Sequence, residues 1–450
     1  MDQRQDRPLH LQVPEACLND TKDAPASPEI RGPRPLLVLG ALVAGLLLGI
    51  LSPQLTEQVR NAVSSAASII GGLWLKSLEM TVIPLIVGLL VTGIAQSAEA
   101  ARGGRIAGRA VLWIVILSTA SAIVGAALML LFVRLVPLSA SAVAALREAV
   151  GSAQPIHAQA ASGSVSAFFE GLVPENVVSA AANSDILPLV VFTILFALAV
   201  SRIASHRRAS VVDFFAGVTD AFLVIIGWVL WVAPAGVFAL AFGLGAAAGG
   251  AAFTALLHYI LLVSAIGIVI TVAAYPLAAI AGRVPMMSFI RALLPPEGIA
   301  ISTRSSLACL PAMLTSARQL GVRREVGDVS LPIAVALFRA TGPAMNTAVA
   351  VYVAYALGLH PGPGAILAAT AVGAVMSYPA ISLPGEISYI SSIAPIAIAL
   401  GAPIAPLALL VAVEMIPDII RTLGNVAADV ALATVVDRDQ RPAMARTRSE

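Results

Sequence analysis

Long apolar runs separated by short, arginine-bearing loops set the pattern of this chain. Predominantly apolar stretches lie at about 35–52, 63–96, 110–136, 185–201, 212–245 and 253–281. Each reaches the roughly 17–25 residues that a helix needs to cross hydrocarbon. Residues 286–320 and 364–400 are also apolar, but Pro, Gly and Ser clusters break them. Each is long enough to enter a membrane and return, and too interrupted for one clean span. Each precedes a long apolar helix, at about 326–358 and 404–435. Non-helical backbone at membrane depth is tolerated only where it is buried in protein or lines a cavity. Two copies of "broken hairpin then helix", entering from opposite sides, are the pattern of an inverted-repeat transporter with a midplane site. The expected architecture is an all-α polytopic membrane protein of about eight transmembrane helices plus two re-entrant helical hairpins.

Composition agrees. The 450 residues are 58% hydrophobic and 12% charged, too apolar for a soluble chain of this size. Residues 1–34 carry mixed charges and are expected to be a disordered cytoplasmic tail; being polar and Pro-rich, they contain no cleavable signal peptide. Residues 137–183, rich in Ala, Ser and Val, read as an extramembrane loop with short or re-entrant helices. Arginines crowd the loops at 99–109 and 202–208, the region 283–324 and the tail 436–450. They alternate with loops holding few positive charges, so the positive-inside rule puts both termini in the cytoplasm. The net charge of +2 does not point to nucleic acid. Cys17 and Cys309 make no disulfide framework or metal spacing, and the five histidines are scattered, so no zinc or haem cofactor is expected.

The polar residues inside the apolar segments cluster. Glu414, Asp418, Arg421, Asn425 and Asp429 lie at spacings of 4, 3, 4 and 4. At roughly 100° per residue, all five fall within an arc of about 80° on one helix face. An intramembrane charge costs about 2.5–3.5 kcal/mol on insertion scales, so this face looks toward protein or water and marks a functional site, unless it only locks helices together. The first hairpin tip reads Ser302-Thr303-Arg304-Ser305-Ser306-Leu307-Ala308-Cys309-Leu310-Pro311. Its half-helix N-terminus offers N–H groups to an anion, and Arg304 adds a cation suited to a carboxylate, unless it extends to the cytoplasmic edge. The second tip runs from Ser377 through Leu383-Pro384-Gly385 to Glu386, which sits either at a gate or in extracellular water. The helix between them holds Arg339-Ala340-Thr341-Gly342-Pro343-Ala344-Met345-Asn346-Thr347, where Gly342 and Pro343 predict a kink or unwound turn. Arg339 needs an anionic partner, with Asp429 or Glu414 available if the repeats pack; otherwise it reaches the cytoplasmic edge.

These motifs resemble the glutamate transporter family, the dicarboxylate/amino acid:cation symporters, of which the chain looks like a divergent member. Thr303 to Pro311 is similar to the family's serine-rich first hairpin ending in Leu-Pro. Leu383-Pro384-Gly385 is similar to the second hairpin's Val-Pro-Gly. Asp418, Arg421, Asn425 and Asp429 repeat the last helix's Asp…Arg…Asn…Asp spacing. Weaker landmarks are Lys76, Pro84, Val173-Pro174-Glu175-Asn176 and Ala233-Pro234-Ala235-Gly236-Val237-Phe238. The likeness spans about 36–435.

The resemblance implies a secondary active transporter in a bacterial inner membrane, assembled as a homotrimer and moving an acidic amino acid by an elevator mechanism. The scaffold would be mainly 35–109 and 185–245, the transport unit mainly 110–136 and 253–435, with a cytoplasmic tail at 436–450. Arg421 would pair with the substrate's side-chain carboxylate, Asp418 with its ammonium, and Asn425, Ser305 and Ser306 with its α-carboxylate. Thr422, Arg304, Thr347, Pro384 and Gly385 would complete the pocket. Asp429, Glu414, Ser118, Thr119, Asn346 and Arg339 would belong to the ion-coupling sites, with Na+ or H+ as the ion.

The departures are as informative. The family's Asn-Met-Asp-Gly-Thr becomes Pro343-Ala344-Met345-Asn346-Thr347, which removes an Asn side chain and an Asp carboxylate from the expected ion sites. Sodium wants oxygen ligands, and Pro343 and Met345 supply no side-chain oxygen. Arg339 stands where the family has a small residue, so it is expected to be a tethered cation replacing one sodium near Asp429. The alternatives are a C4-dicarboxylate carrier, a sodium-independent exchanger, an anion channel or a transport-dead sensor. An enzyme using Ser305 or Ser306 as nucleophile lacks an activating histidine, since the mid-span one is His258.

Overall fold

The computed structural model describes residues 35–102, 104–140, 143, 172–376 and 385–447, by backbone alone at 35, 248, 385–388 and 440–447. The expectations for residues 1–34, for most of 137–183 and for the second hairpin tip with Pro384 lie outside the described residues, as does the side chain of Glu386. Among the described residues the chain is helical, without strands. Backbone groups in lipid have no water to bond, so each apolar run satisfies its own by helix formation.

One set of helices comprises α1 (Pro35–Leu51), α2 (Glu57–Arg102), α4 (Val177–Ala182), α5 (Ile186–Val200), α6 (Ser205–Trp231) and α7 (Ala233–Ala248). The others are α3 (Arg105–Leu135), α8 (Ala251–Pro276), α9 (Met286–Thr303), α10 (Ser306–Gln319), α11 (Arg324–Leu337), α12 (Thr341–Ala356), α13 (Pro363–Val375), α14 (Gly385–Ala399), α15 (Ala405–Leu410) and α16 (Met415–Thr447). Among the described residues six helices are long and apolar enough to cross a membrane: Leu36–Gln54, Glu57–Arg102, Arg105–Leu135, Ser205–Trp231, Ala251–Ala281 and Met415–Asp439.

Three of the longer runs break just ahead of a proline. The single helix expected at 212–245 is two, parted at Val232, with Pro234 in the first turn of α7. The single helix expected at 326–358 parts at Phe338–Ala340, with Phe338 extended (φ −102°, ψ 104°) and Pro343 third in α12. The helix expected at 404–435 parts before Met415, through a 3₁₀ turn at Val411–Val413, with Pro417 third in α16. A proline lacks the N–H and clashes with the carbonyl four residues back, so it is accommodated in a first turn, where no intrahelical acceptor is needed. The unwound residues therefore precede Gly342 and Pro343 instead of including them.

Helices α9 and α10 form an antiparallel hairpin. Arg304 turns it in the left-handed conformation (φ 51°), and Ser305 caps α10 by accepting from the N–H of Ala308 at 3.4 Å. Across the pair, Ser316 Oγ donates to the Ala292 carbonyl at 2.6 Å. Helices α13 and α14 also pack on each other.

Around the core helix α12, nearly every residue of which is buried, small residues let backbones approach. A Cβ on Gly125 of α3 would lie 2.3 Å from the Ala344 carbonyl oxygen, and one on Gly424 of α16 would lie 2.4 Å from Thr341 Cγ2. Helix α16 continues past 436 to Thr447. Its end is pinned, with Asp437 accepting from Arg323 Nε at 2.7 Å, Asp439 from Trp113 Nε1 at 2.9 Å, and Arg438 donating to the Ala281 carbonyl at 2.7 Å.

Gly125→Val is expected to destabilise the protein by about 1–3 kcal/mol, because it overpacks backbone against backbone. A lowered melting temperature in detergent checks this. Gly217→Val, with open space around it, is the control and should melt near the wild type.

Candidate functional site

The interior polar site forms where the breaks meet. Arg421, on the second turn of α16, is held by two elements. Its Nη2 bonds Glu414 Oε1 at 2.7 Å, and its Nη1 donates to Asn346 Oδ1 on α12 at 2.7 Å. The side chains of Arg421 and Glu414 are 13% and 6% exposed, so the pair is enclosed. Glu414 lies in the junction before α16, seven residues ahead of Arg421, a spacing that returns to the same helix face. Its second oxygen accepts from the Tyr259 hydroxyl of α8 at 2.8 Å, and Tyr259 in turn lies 2.9 Å from the Tyr389 hydroxyl of α14. A five-residue chain, Asn346–Arg421–Glu414–Tyr259–Tyr389, thus links four helices.

Asn425, one turn beyond Arg421, caps the new helix. Its Oδ1 accepts from the Thr341 N–H at 3.1 Å. Thr341 Oγ1 lies 2.8 Å from that oxygen and 2.9 Å from the Arg421 carbonyl, either of which can take its proton. The orphan N–H that the break creates is therefore satisfied by a side chain of α16. Asn425 thus has structural work as well as a position beside Arg421.

Asp418 faces the first hairpin. Arg304 Nη1 lies 3.6 Å from its Oδ2, so Arg304 turns toward α16. Ser305 and Ser306 begin α10 at the same tip. Thr422 is buried and donates to the Asp418 carbonyl at 2.9 Å.

Asp429 is 1% exposed, and neither carboxylate oxygen has a hydrogen-bond partner among the described residues. The Arg339 guanidinium, from the break before α12, acts on it electrostatically, as it does on Asp418 and Arg421. Of the two acids expected for Arg339, Glu414 is engaged by Arg421, while Arg339 acts electrostatically on Asp418 and on Asp429.

Other expectations separate. Ser118 is fully buried with an unbonded hydroxyl, but Thr119 is exposed and donates to the Val115 carbonyl of its own helix at 2.8 Å. The Ser118–Thr119 pair is not on one face, because adjacent helical residues diverge by about 100°. Ser121, one turn on, instead reaches the Ala340 carbonyl in the break. Asn346, assigned to the ion sites, bonds Arg421. Thr347 is buried with an unbonded hydroxyl and lies against Gly373 of α13, where a Cβ would sit 2.1 Å from its Oγ1. Gly385 opens α14.

Tyr259, Tyr389, Thr341 and Ser121 were not among the expected site residues. A buried tyrosine needs a partner for its hydroxyl, so the two tyrosines in apolar segments carried a readable signal. The three-residue step from Ser118 to Ser121 did as well.

Residues 35–439 match the model of the family described as the sodium:dicarboxylate symporter family. The chain is 27% identical over 414 residues to the proton/sodium-glutamate symport protein of Bacillus subtilis (strain 168), covering 89% of this chain and 90% of that one. It is 26% identical over 404 residues to a C4-dicarboxylate transport protein of Rhizobium etli, covering 89% and 87%. It is also 26% identical over 405 residues to the proton/glutamate-aspartate symporter of Escherichia coli (strain K12), covering 89% and 91%.

Asn425→Leu should leave the Thr341 N–H without an acceptor and cost about 1–3 kcal/mol. A lower melting temperature of the purified, substrate-free protein is the check. Thr341→Ser, which keeps both donors, should melt close to the wild type.

Proposed function

The chain belongs to the sodium:dicarboxylate symporter family, and on that premise we propose that it is a secondary active transporter of aspartate or glutamate working by elevator-type alternating access. Membership makes it a cation-coupled dicarboxylate or glutamate transporter of the membrane, not an enzyme. The observation that carries the finer reading is the enclosed Arg421 guanidinium, oriented by Glu414 and Asn346 beside Asp418 and Asn425. A planar, permanently charged fork in a site of low dielectric suits a carboxylate. In this reading Arg421 takes the substrate's side-chain carboxylate. Asp418 takes the ammonium. Asn425 and the start of α10 at Ser305–Ser306 take the α-carboxylate, assisted by the half-helix dipole.

One contact favours a second reading. Arg304 already pairs with Asp418, which leaves that carboxylate less free for an ammonium. A C4-dicarboxylate carries no ammonium, and relatives with that named substrate are as similar as the amino-acid symporters.

The hairpin α9–α10 and the paired helices α13–α14 support re-entrant elements around a midplane site, with the tip near Pro384 and Gly385 as gate. The core formed by α3, α8 and α9–α16 would move as the transport unit against a scaffold of α1, α2 and α4–α7, in a trimer with both termini cytoplasmic. For coupling, the Arg339–Asp429 interaction supports a tethered cation in place of one sodium. Ser118, Asn346 and Thr347 have no acidic neighbour from the segment 343–347 to build another such site.

Uptake into proteoliposomes tests this. Labelled aspartate should accumulate under a proton gradient with little response to sodium, and Arg421→Ala should abolish uptake, a loss of about 2–5 kcal/mol for breaking a buried charged pair. Asp418→Ala should lose aspartate uptake while sparing succinate uptake. If wild-type uptake rises steeply with several sodium ions per substrate, Arg339 is not a sodium substitute.

A further inference from the structure

Arg421 carries one positive charge, and Glu414 already lies against it at 2.7 Å. A substrate carboxylate reaching the same guanidinium becomes the second anion on one cation. In an enclosed site two carboxylates in contact do not both remain ionised, since their repulsion is weakly screened. We propose that Glu414 is the proton-coupling group: it holds Arg421 as an anion in the empty carrier, and takes up one proton as the substrate's carboxylate takes over the guanidinium. The inference rests on Arg421 being the substrate's site.

The surroundings of Glu414 suit this exchange. The groups facing it are Arg421 and, electrostatically, Asp418 on α16, Tyr259 on α8 and, through Tyr259, Tyr389 on α14. None is a second cation that could neutralise Glu414 once Arg421 is taken. Arg304 is drawn to Asp418, and Arg339 acts on Asp418 and Asp429. The tyrosine hydroxyls can reverse direction. When Glu414 is ionised, Tyr259 donates to it and Tyr389 donates to Tyr259. When Glu414 is protonated, its O–H can donate to Tyr259, which then donates to Tyr389. The step balances as Glu–COO⁻ plus a proton from solvent giving Glu–COOH, with no bond formed or broken in the substrate.

The same chain carries the effect of proton uptake to a second helix pair. Tyr389 lies on the second arm of the paired helices α13–α14, so a reversal of the hydroxyl chain is felt where the second hairpin meets the core. Tyr389 is in this sense a positioning residue, acting through Tyr259.

Proton uptake on binding is measured directly, by calorimetry of detergent-purified full chain in two buffers of different ionisation enthalpy. The probes are L-aspartate and succinate. The wild type should take up about one proton per molecule of the probe that binds, and its affinity should rise by about tenfold per unit fall in pH across the titration. Glu414→Gln should bind with no proton uptake and with little pH dependence. Equal proton uptake in Glu414→Gln and wild type overturns the proposal, and so does binding to the wild type without proton exchange, which needs no variant to fold. Arg421→Ala separates the two levels: binding that survives in that variant removes the substrate-site reading itself. Tyr259→Phe should keep the proton uptake and move the pH at which it occurs, whereas a purely structural role for the hydroxyl would leave that pH in place.

Discussion

The ion pair between Arg421 and Glu414 is the contact on which the polar interior depends. Neither charge could be enclosed alone, since a buried ion without its counter-charge costs several kcal/mol. Together they cost less, and each uses its remaining bonding capacity to hold another helix. Arg421 holds α12 through Asn346, and Glu414 holds α8 and α14 through Tyr259 and Tyr389. Beside this pair Arg304 meets Asp418, and Arg339 acts electrostatically on both Asp418 and Asp429. Three arginines and three carboxylates thus share this interior among the described residues.

Fold and site share one cause. The three junctions ahead of α7, α12 and α16 are each followed by a proline within the first helical turn. A break frees backbone groups, which at membrane depth must be satisfied by protein. Ahead of α12 this is done by Asn425 and Ser121, one from each of two packed helices. Ahead of α16 it leaves Glu414 at the junction, facing Arg421. The polar residues are therefore at the breaks for a structural reason, and that arrangement is what makes them available to a ligand.

Much of this was legible from residue types and spacing. The apolar runs set the helices, because lipid allows the backbone no other economy. The spacing of Asp418, Arg421, Asn425 and Asp429 set one face, and the Ser-rich tip beside Arg304 marked the first hairpin. The pairing of charges was not legible. Arg339 had two acids to choose from, and Asn346, expected at the ion-coupling sites, accepts from Arg421. Thr119 read as the partner of Ser118, while the helix turns it outward.

The sequence by itself determined which segments are apolar and helical and which charges had to face inward, while the breaks ahead of α7 and α16 appeared only in the fold; the first two follow from local sterics and from the cost of polar groups in hydrocarbon. Only the tertiary structure decided that Arg421 meets Glu414 and Arg304 meets Asp418, that Tyr259 and Tyr389 extend the network to α8 and α14, and that the Asp429 carboxylate is buried without a hydrogen bond. Those pairings join residues up to 155 positions apart. Periodicity carries no information at that separation, because the choice depends on how close glycine-lined helices approach and on which partner is already taken.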